Sequence, residues 1–328
     1  MTVLPLGNEA AHDVFAAAMA SGVLHHAWLF AGPLGVGKAS FARAAALRML
    51  VEGASPGTLP PGFDVPEQDR TRSLINAGSH PDYREMARLP KDPDKPGQDL
   101  ARSISIAQVR ALQPMFATTP SMSSRRVVLI DAIDDLERGG ANALLKNLEE
   151  PPQGTIFLLI SHAPGRLLPT IRSRCRLLRF EALGDDAMTS ILHERLPKAD
   201  AAEIAALVRA GEGSPGRALG YAGLDLGALD DALAAIARDG DEGNKRRGAL
   251  ARSLALKAAQ PRYEAFLDRV PAFIAGAART RQGPALRTAL DSYDAARSLA
   301  ASARGLSLDP QGTVFEMAGL VARLAGRG

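Results

Sequence analysis

The chain has 328 residues and a net charge of +3, and 46% of its residues are hydrophobic and 23% charged. These values are typical of a globular protein of two or three domains and exclude a chain that is disordered throughout. A single cysteine excludes internal disulfides and cysteine-rich metal modules, and the absence of a basic N-terminal region or a long apolar run predicts a cytoplasmic protein without a signal peptide.

A short apolar run near the N-terminus is followed by a glycine-rich turn and a helical pattern. Residues 27–31 (AWLFA) predict a buried strand, residues 32–39 (GPLGVGKA) fit most of the motif G-x-x-x-x-G-K-[ST], and residues 40–50 predict a helix. A strand and a helix on either side are the context that this motif needs, because backbone N–H groups and a helix N-terminus then surround the phosphates. The sequence therefore predicts a phosphate-binding loop of the P-loop type.

The predicted nucleotide contacts of this loop are Gly32, Gly35, Gly37 and Lys38. Ala39 stands where the motif requires a hydroxyl group for Mg²⁺. The alternative, a glycine turn that serves only the folding of the chain, stays open for this reason.

The next two segments carry turn-forming residues. Residues 51–80 and 90–98 are rich in proline and glycine and predict excursions outside the sheet. Where the first segment ends, His80-Pro81-Asp82 is interpreted as a structural turn rather than a set of metal ligands, since two ligand types on one loop are weak evidence for a metal.

Two further unbroken apolar runs, at residues 127–130 and 156–160, predict strands buried on both faces of a parallel sheet. A helical pattern over residues 141–148 lies between them and stops before two prolines. The first run ends in Asp131, which could hold a metal through water, and Ala132 follows where a carboxylate would activate the attacking water. The order of strands and helices predicts an α/β domain of the doubly wound type, with ATPase ancestry but without hydrolysis.

After residue 180 the strand-like runs stop, and residues 183–224 and 225–328 show helical spacing. Residues 245–328 carry 14 basic and 6 acidic side chains, a net charge of +8. Such a segment could meet an acidic partner or a phosphate backbone, and it could equally be a solvated helical face. Aromatic residues make up only 5% of the chain, which argues against a stacking platform for single-stranded nucleic acid.

Several motifs together resemble one known family. They are residues 25–33 (HHAWLFAGP), 134–136 (DDL), 141–152 (ANALLKNLEEPP), 157–162 (FLLISH), 168–175 (LPTIRSRC), 213–219 (GSPGRAL) and, near the C-terminus, 296–297, 308–311 and 314–315. This pattern covers nearly the whole chain and resembles the clamp-loader subunits of bacterial DNA polymerase III. The resemblance implies a P-loop-type parallel sheet of the AAA+ class (residues 1–180), a small helical lid (181–224) and a C-terminal helical collar domain for oligomerisation (225–328).

The resemblance also implies roles for three residues outside the phosphate loop. Arg174 matches the arginine finger that reaches the γ-phosphate of a neighbouring subunit, and a planar, permanently charged donor suits that role. Ser161 matches the first sensor, although a structural capping role is equally compatible with its position. Arg217 matches the second sensor, with domain-to-domain pairing as its alternative.

Within this family, Ala39 and Ala132 favour the delta-prime type over the motor type. The resemblance then implies a non-hydrolysing stator that has no catalysis of its own. It also implies that this stator is a component of the DNA polymerase III holoenzyme. ATP would be bound by neighbouring subunits. Family members commonly carry a four-cysteine zinc module after the P-loop helix, but residues 51–80 contain no cysteine, so we predict no structural metal.

The implied partners are the motor (gamma/tau) and delta subunits, with the sliding clamp and primer-template DNA reached through the complex, and no membrane. Two alternatives stay open: an ATP-hydrolysing motor subunit of the same machine, and a P-loop-derived scaffold unrelated to replication.

Overall fold

The computed structural model describes residues 6–92, 94 and 100–325. By its internal contacts, the chain divides into two compact units: Met1–Ile191 with Gly213–Gly216, and Leu192–Glu212 with Arg217–Gly328. The predicted division into three domains, at residues 180 and 224, stays a prediction.

The first unit is built on a parallel sheet of five strands in the order β2-β3-β4-β1-β5. The strands are β1 (Ala27–Ala31), β2 (Tyr83–Ala87), β3 (Arg126–Asp131), β4 (Thr155–Ser161) and β5 (Arg176–Arg179). The predicted strands at 27–31, 127–130 and 156–160 are confirmed as the three central strands. Their apolar runs are unbroken because helices cover both faces of the sheet.

The α-helices that begin in the described residues up to 191 are α1 (Glu9–Ala20), α2 (Lys38–Ala54), α3 (Arg70–Asn76), α4 (Ile106–Arg110), α5 (Gln113–Phe116), α6 (Arg138–Glu149), α7 (Pro169–Arg172) and α8 (Asp185–Arg195). The helices predicted after the phosphate loop and at residues 141–148 are confirmed as α2 and α6. Residues 51–80 hold the end of α2 and α3 but no strand, as predicted. Of the predicted break at 90–98, residues 93 and 95–98 lie outside the described residues.

Successive residues of β1 contribute to cores on opposite faces of the sheet. Trp28 and Phe30 join an aromatic cluster with Phe15, Phe41 and other rings. Leu29 points into the second core, on the other face. This alternation follows from the pleat of a strand, and it explains why the whole of β1 is apolar.

All elements after β5 in the described part of the chain are helical, which confirms the sequence prediction. After α8, the α-helices are α9 (Ala201–Gly211), α10 (Pro215–Gly220), α11 (Leu226–Asp239), α12 (Lys245–Leu254), α13 (Gln260–Ala278), α14 (Gly283–Leu306) and α15 (Pro310–Ala322). In the second unit α15 packs against α11, α12, α13 and α14. Within the described residues, no helix combines the length and apolar character that a membrane span requires.

The degenerate nucleotide site and the Arg174 surface

The loop between β1 and α2 has the backbone geometry that its glycines allow. Gly35 and Gly37 have φ angles of +80° and +100°, a region that side-chain-bearing residues rarely adopt. Gly37 is the N-cap of α2, and Lys38 is its first residue. The predicted strand, loop and helix of a P-loop are therefore confirmed.

The side chain of Lys38 is bound by its own loop. Lys38 is 2% exposed, and its Nζ donates hydrogen bonds to the carbonyl oxygens of Gly32, at 2.7 Å, and Pro33. Burial lowers the pKa of Lys38 to about 8, although the charges of Asp131 and Asp134 act in the opposite direction. The ammonium group that would reach nucleotide phosphates is thus held among backbone carbonyls.

Asp131, at the carboxyl end of β3, faces a guanidinium group. Arg43 of α2 places its Nη2 3.4 Å from Asp131 Oδ2, and its Nε donates to Glu85 Oε1 at 3.0 Å. The Tyr83 hydroxyl donates to the other oxygen of Glu85 at 2.9 Å. Burial raises the pKa of Asp131, and Arg43 is the main group that opposes this change. Neither Arg43 nor Glu85 belongs to a motif that the sequence shows.

Asp134 connects the ends of β3 and β4. Its carboxylate accepts hydrogen bonds from the Ser161 hydroxyl at 2.9 Å and from the backbone N–H groups of His162 and Ala163 at 2.6 and 3.2 Å. The hydroxyl of Ser161, a predicted sensor, is therefore directed at a carboxylate of its own chain. Burial, followed by the nearby charge of Lys38, lowers the pKa of His162.

The start of α10 packs closely on the phosphate loop. The backbone N–H of Gly216 donates to Gly35 O at 2.9 Å, and the Ser214 hydroxyl donates to Leu34 O at 2.8 Å. A Cβ atom at Gly216 would lie 2.9 Å from Gly35 Cα, which explains the need for glycine there. Arg217, the next residue, forms an ion pair with Glu212 at 2.8 Å, and its predicted sensor role stays a prediction.

The residues around the loop do not match the set that hydrolysis of Mg²⁺-bound ATP requires. Ala39 offers a methyl group that packs against the apolar core, and Ala132 is buried without a carboxylate. Lys38 and Asp131 already have partners from the chain itself, as described above. Positions 39 and 132 therefore lack the hydroxyl and the carboxylate of the two nucleotide motifs.

Arg174 lies just after α7 on the surface of the first unit, with its side chain 32% exposed. Its Nη1 donates to Thr170 O at 2.7 Å, and its Nη2 lies 2.6 Å from Glu149 Oε1. Burial raises the pKa of the neighbouring Cys175 thiol to about 12, so this residue acts as a small apolar side chain rather than a nucleophile.

Residues 80–82, the segment with His80 and Asp82, are held by hydrogen bonds within the chain. The carboxylate of Asp82 accepts three backbone N–H groups from residues 121–123, and its own N–H donates to His80 Nδ1. Residues 80–82 thus lie in a turn, as expected from the sequence, and the expectation that they bind no metal stays a prediction. Among the described residues, no group of three or more potential ligands is placed to hold a metal ion.

A parallel sheet in the order β2-β3-β4-β1-β5, with a phosphate loop after β1 and acidic residues after β3, is the core of the AAA+ class of P-loop proteins. Residues 7–184 match the profile of the family described as "DNA polymerase III, delta subunit". This match covers more than half of the chain, and the chain belongs to that family.

Curated relatives agree with this assignment. The delta-prime subunit of DNA polymerase III from Pseudomonas aeruginosa is 36% identical over 190 residues, which are 58% of this chain and 53% of the relative. The delta-prime subunit from Bacillus subtilis is 36% identical over 172 residues, 52% of this chain and 47% of the relative. The gamma/tau subunit from Mycobacterium tuberculosis is 30% identical over 258 residues, 71% of this chain and 42% of the relative.

The chain thus spans about half the length of the delta-prime relatives that it matches. The resemblance to the delta-prime subunits that was identified from the sequence motifs is confirmed by the family match and by these relatives.

Proposed function

We propose that this protein is a non-hydrolysing, stator-like subunit of the bacterial clamp loader. It completes the ATP site of a neighbouring subunit with Arg174 and thereby helps to load the sliding clamp onto primed DNA. Its partners would be the gamma/tau and delta subunits, with the clamp and primer-template DNA reached through the complex.

The observation that carries this proposal is the contrast between the two phosphate-related regions. The chain's own site lacks the hydroxyl and the carboxylate of a hydrolytic centre, and Lys38 is occupied by loop carbonyls. Arg174, in contrast, is held at the surface in a motif typical of fingers that act in trans. A protein with this combination contributes to catalysis only as a partner. The motor alternative is not favoured because it would need its own hydrolytic site.

The main test is Arg174→Ala in a reconstituted clamp loader. An arginine finger acts on the transition state, and one supplied in trans is worth roughly 10³–10⁵ in rate in well-studied GTPases. Because several subunits would hold ATP and Arg174 would serve one site, we expect a partial loss of DNA-stimulated ATPase and a larger loss of clamp loading. Gel filtration should show normal assembly. Arg174→Lys should not restore loading, since an ammonium lacks the paired donors of a guanidinium.

The matched control is Arg172→Ala, which removes an exposed arginine two residues earlier on α7. We expect this variant to load clamps at the wild-type rate. Wild-type loading by Arg174→Ala would contradict the proposed function.

A second test concerns the chain's own site. We expect the isolated protein to show no ATP turnover above background, because Ala132 stands where a carboxylate would activate water. The contradicting result is steady turnover that Lys38→Ala abolishes.

We further propose that the helical residues 225–328 join this subunit to the complex, and that residues 181–224 act as a lid. The support is the resemblance of the C-terminal motifs to a collar, together with the mutual packing of α13, α14 and α15. Cross-linking of the assembled complex, followed by mass spectrometry, should place most contacts to other subunits in residues 225–328. Cross-links confined to the first unit would contradict this role.

A further inference from the structure

The guanidinium group of Arg174 is held at both of its terminal nitrogens. Nη1 donates to the backbone carbonyl of Thr170, one turn earlier, at 2.7 Å. Nη2 forms an ion pair of 2.6 Å with the carboxylate of Glu149. Two contacts at separate nitrogens determine the direction of the guanidinium plane, which a single contact would leave free to rotate.

Glu149 is itself in a well-defined position. It is the last residue of α6, and the helix is anchored by Leu144 and Leu148, which are 0% and 1% exposed. The short helix before Arg174 is anchored in the same core by Ile171, which is 1% exposed. The carboxylate and the arginine backbone are therefore fixed relative to each other by buried side chains.

An arginine side chain is flexible, and ordering it at the moment of reaction costs entropy. A finger that is ordered beforehand avoids this cost, which is the usual benefit of preorganised groups in a reacting site. A guanidinium has five N–H donors, so the contacts to Thr170 and Glu149 leave further donors for an oxygen of a phosphoryl group.

We propose that Glu149 is a positioning residue for Arg174, orienting the guanidinium toward the phosphoryl group of a nucleotide bound by a neighbouring subunit. This inference rests on the proposed function of Arg174. Glu149 touches neither the nucleotide nor the reacting atoms in this scheme. The pair is partly exposed, with side-chain exposures of 32% and 49%, so water screens the carboxylate charge and the guanidinium keeps its attraction for phosphate.

The test uses Glu149→Gln in a reconstituted clamp loader, with the rate of clamp loading measured as a function of ATP concentration. A loss of positioning lowers the maximal rate but leaves the ATP concentration at half-maximal rate unchanged. We expect the maximal rate to fall about fivefold, in line with the modest strength of an exposed charge pair. The matched control is Glu150→Gln, which changes the adjacent exposed glutamate and should have no effect.

The double variant Glu149→Gln/Arg174→Ala separates positioning from other roles. If Glu149 acts only through Arg174, the double variant loads clamps at the same rate as Arg174→Ala. The positioning role would be overturned if Glu149→Gln lowered the loading rate by the same factor in the wild type and in Arg174→Ala. A higher loading rate in Glu149→Gln than in the wild type would also overturn it. A wild-type rate for Glu149→Gln together with an impaired Arg174→Ala would also overturn it, while the proposed finger would stand. A wild-type rate for Arg174→Ala would remove both.

Discussion

The phosphate loop and the Arg174 surface, for which we propose a contact with a neighbour's nucleotide, hold their cationic side chains in opposite ways. At the phosphate loop, Lys38 is almost fully buried and donates to carbonyl groups of its own loop. Just after α7, Arg174 is about one-third exposed and pairs with the half-exposed Glu149. A buried cation that loses its acceptors is left as an unpaired charge inside the protein, which is costly, whereas an exposed pair exchanges partners with water easily. One domain thus combines a buried cation bound by its own loop with a partly exposed cation at its surface.

The largest expected change in the free energy of unfolding comes from replacing a glycine by alanine, because the two regions differ in the space around such a residue. A Cβ atom at Gly32, in the phosphate loop, would overlap the carbonyl oxygen of Phe180, while a Cβ atom at Gly165, near α7, would meet nothing within 4 Å. We expect Gly32→Ala to lower the free energy of unfolding by about 3 kcal/mol, and Gly165→Ala by less than about 0.5 kcal/mol.

Urea unfolding followed by Trp28 fluorescence measures this difference, since Trp28 is the single tryptophan and is fully buried in the first unit. Equal midpoints for the two variants would show that the phosphate loop is not tightly packed.

A smaller difference in the free energy of unfolding is expected when Arg43 and Arg174 are each replaced by methionine. Arg43→Met leaves the carboxylates of Glu85 and Asp131 close together without their shared cation, and we expect a loss of about 1–2 kcal/mol in the free energy of unfolding. Arg174→Met removes a guanidinium that pairs with one carboxylate rather than two, and that carboxylate is half exposed, so the change should cost no more than about 1 kcal/mol. In the Arg43→Met background, Glu85→Gln should recover part of the loss. Equal costs for the two arginines, measured by the same urea titration, would contradict the comparison.

The pKa of Lys38 predicts that the free energy of unfolding depends on pH. Its value of about 8 in the folded protein lies below the ordinary value of 10.5, so the unfolded chain binds more protons between these values and stability rises with pH. The wild type should therefore gain stability relative to Lys38→Met between about pH 8 and 10, by up to about 1.4 kcal/mol per pH unit.

Urea titrations at several pH values measure this gain, and Lys146→Met, which removes an exposed lysine of α6, corrects for the change in net charge. A constant difference between the wild type and Lys38→Met would indicate that Lys38 is not buried as a cation.

The smallest effect is expected from restoring the missing hydroxyl. Ala39→Thr leaves the contacts of Lys38 with the loop carbonyls and of Arg43 with Asp131 in place. We therefore expect calorimetric titration with Mg²⁺ and ATP to show no binding by this variant, as for the wild type. Binding by Ala39→Thr alone would mean that the single hydroxyl, rather than the internal contacts, decides the state of the site.

Local patterns predicted the central part of the sheet but not its edges. β1, β3 and β4 are buried on both faces, so each appears as an unbroken apolar run. β2 includes the exposed Arg84 and Glu85, and β5 (RLLR) buries only Leu178. Edge strands are covered less completely, and their mixed composition gives no apolar run that a sequence pattern can identify.

The candidate sites show the same limit. The positions of Lys38, Asp131, Ser161 and Arg174 were predicted because each lies in a motif with its own local spacing. Their partners come from residues distant in the sequence: Arg43 is 88 residues from Asp131, Asp134 is 27 residues from Ser161, and Glu149 belongs to the helix before β4. No local pattern contains such pairs.

The sequence by itself determined the class of the first domain, the place of its phosphate loop and the absence of a hydroxyl and a carboxylate at positions 39 and 132. These properties depend on residue types at fixed short spacings, which the chain carries whether or not it is folded. Only the tertiary structure decided that Lys38 bonds to its own loop, that Arg43 faces Asp131, and that Glu149 holds Arg174. Those contacts arise because parallel strands align their carboxyl ends and buried helices fix the distance between side chains that are remote in the sequence.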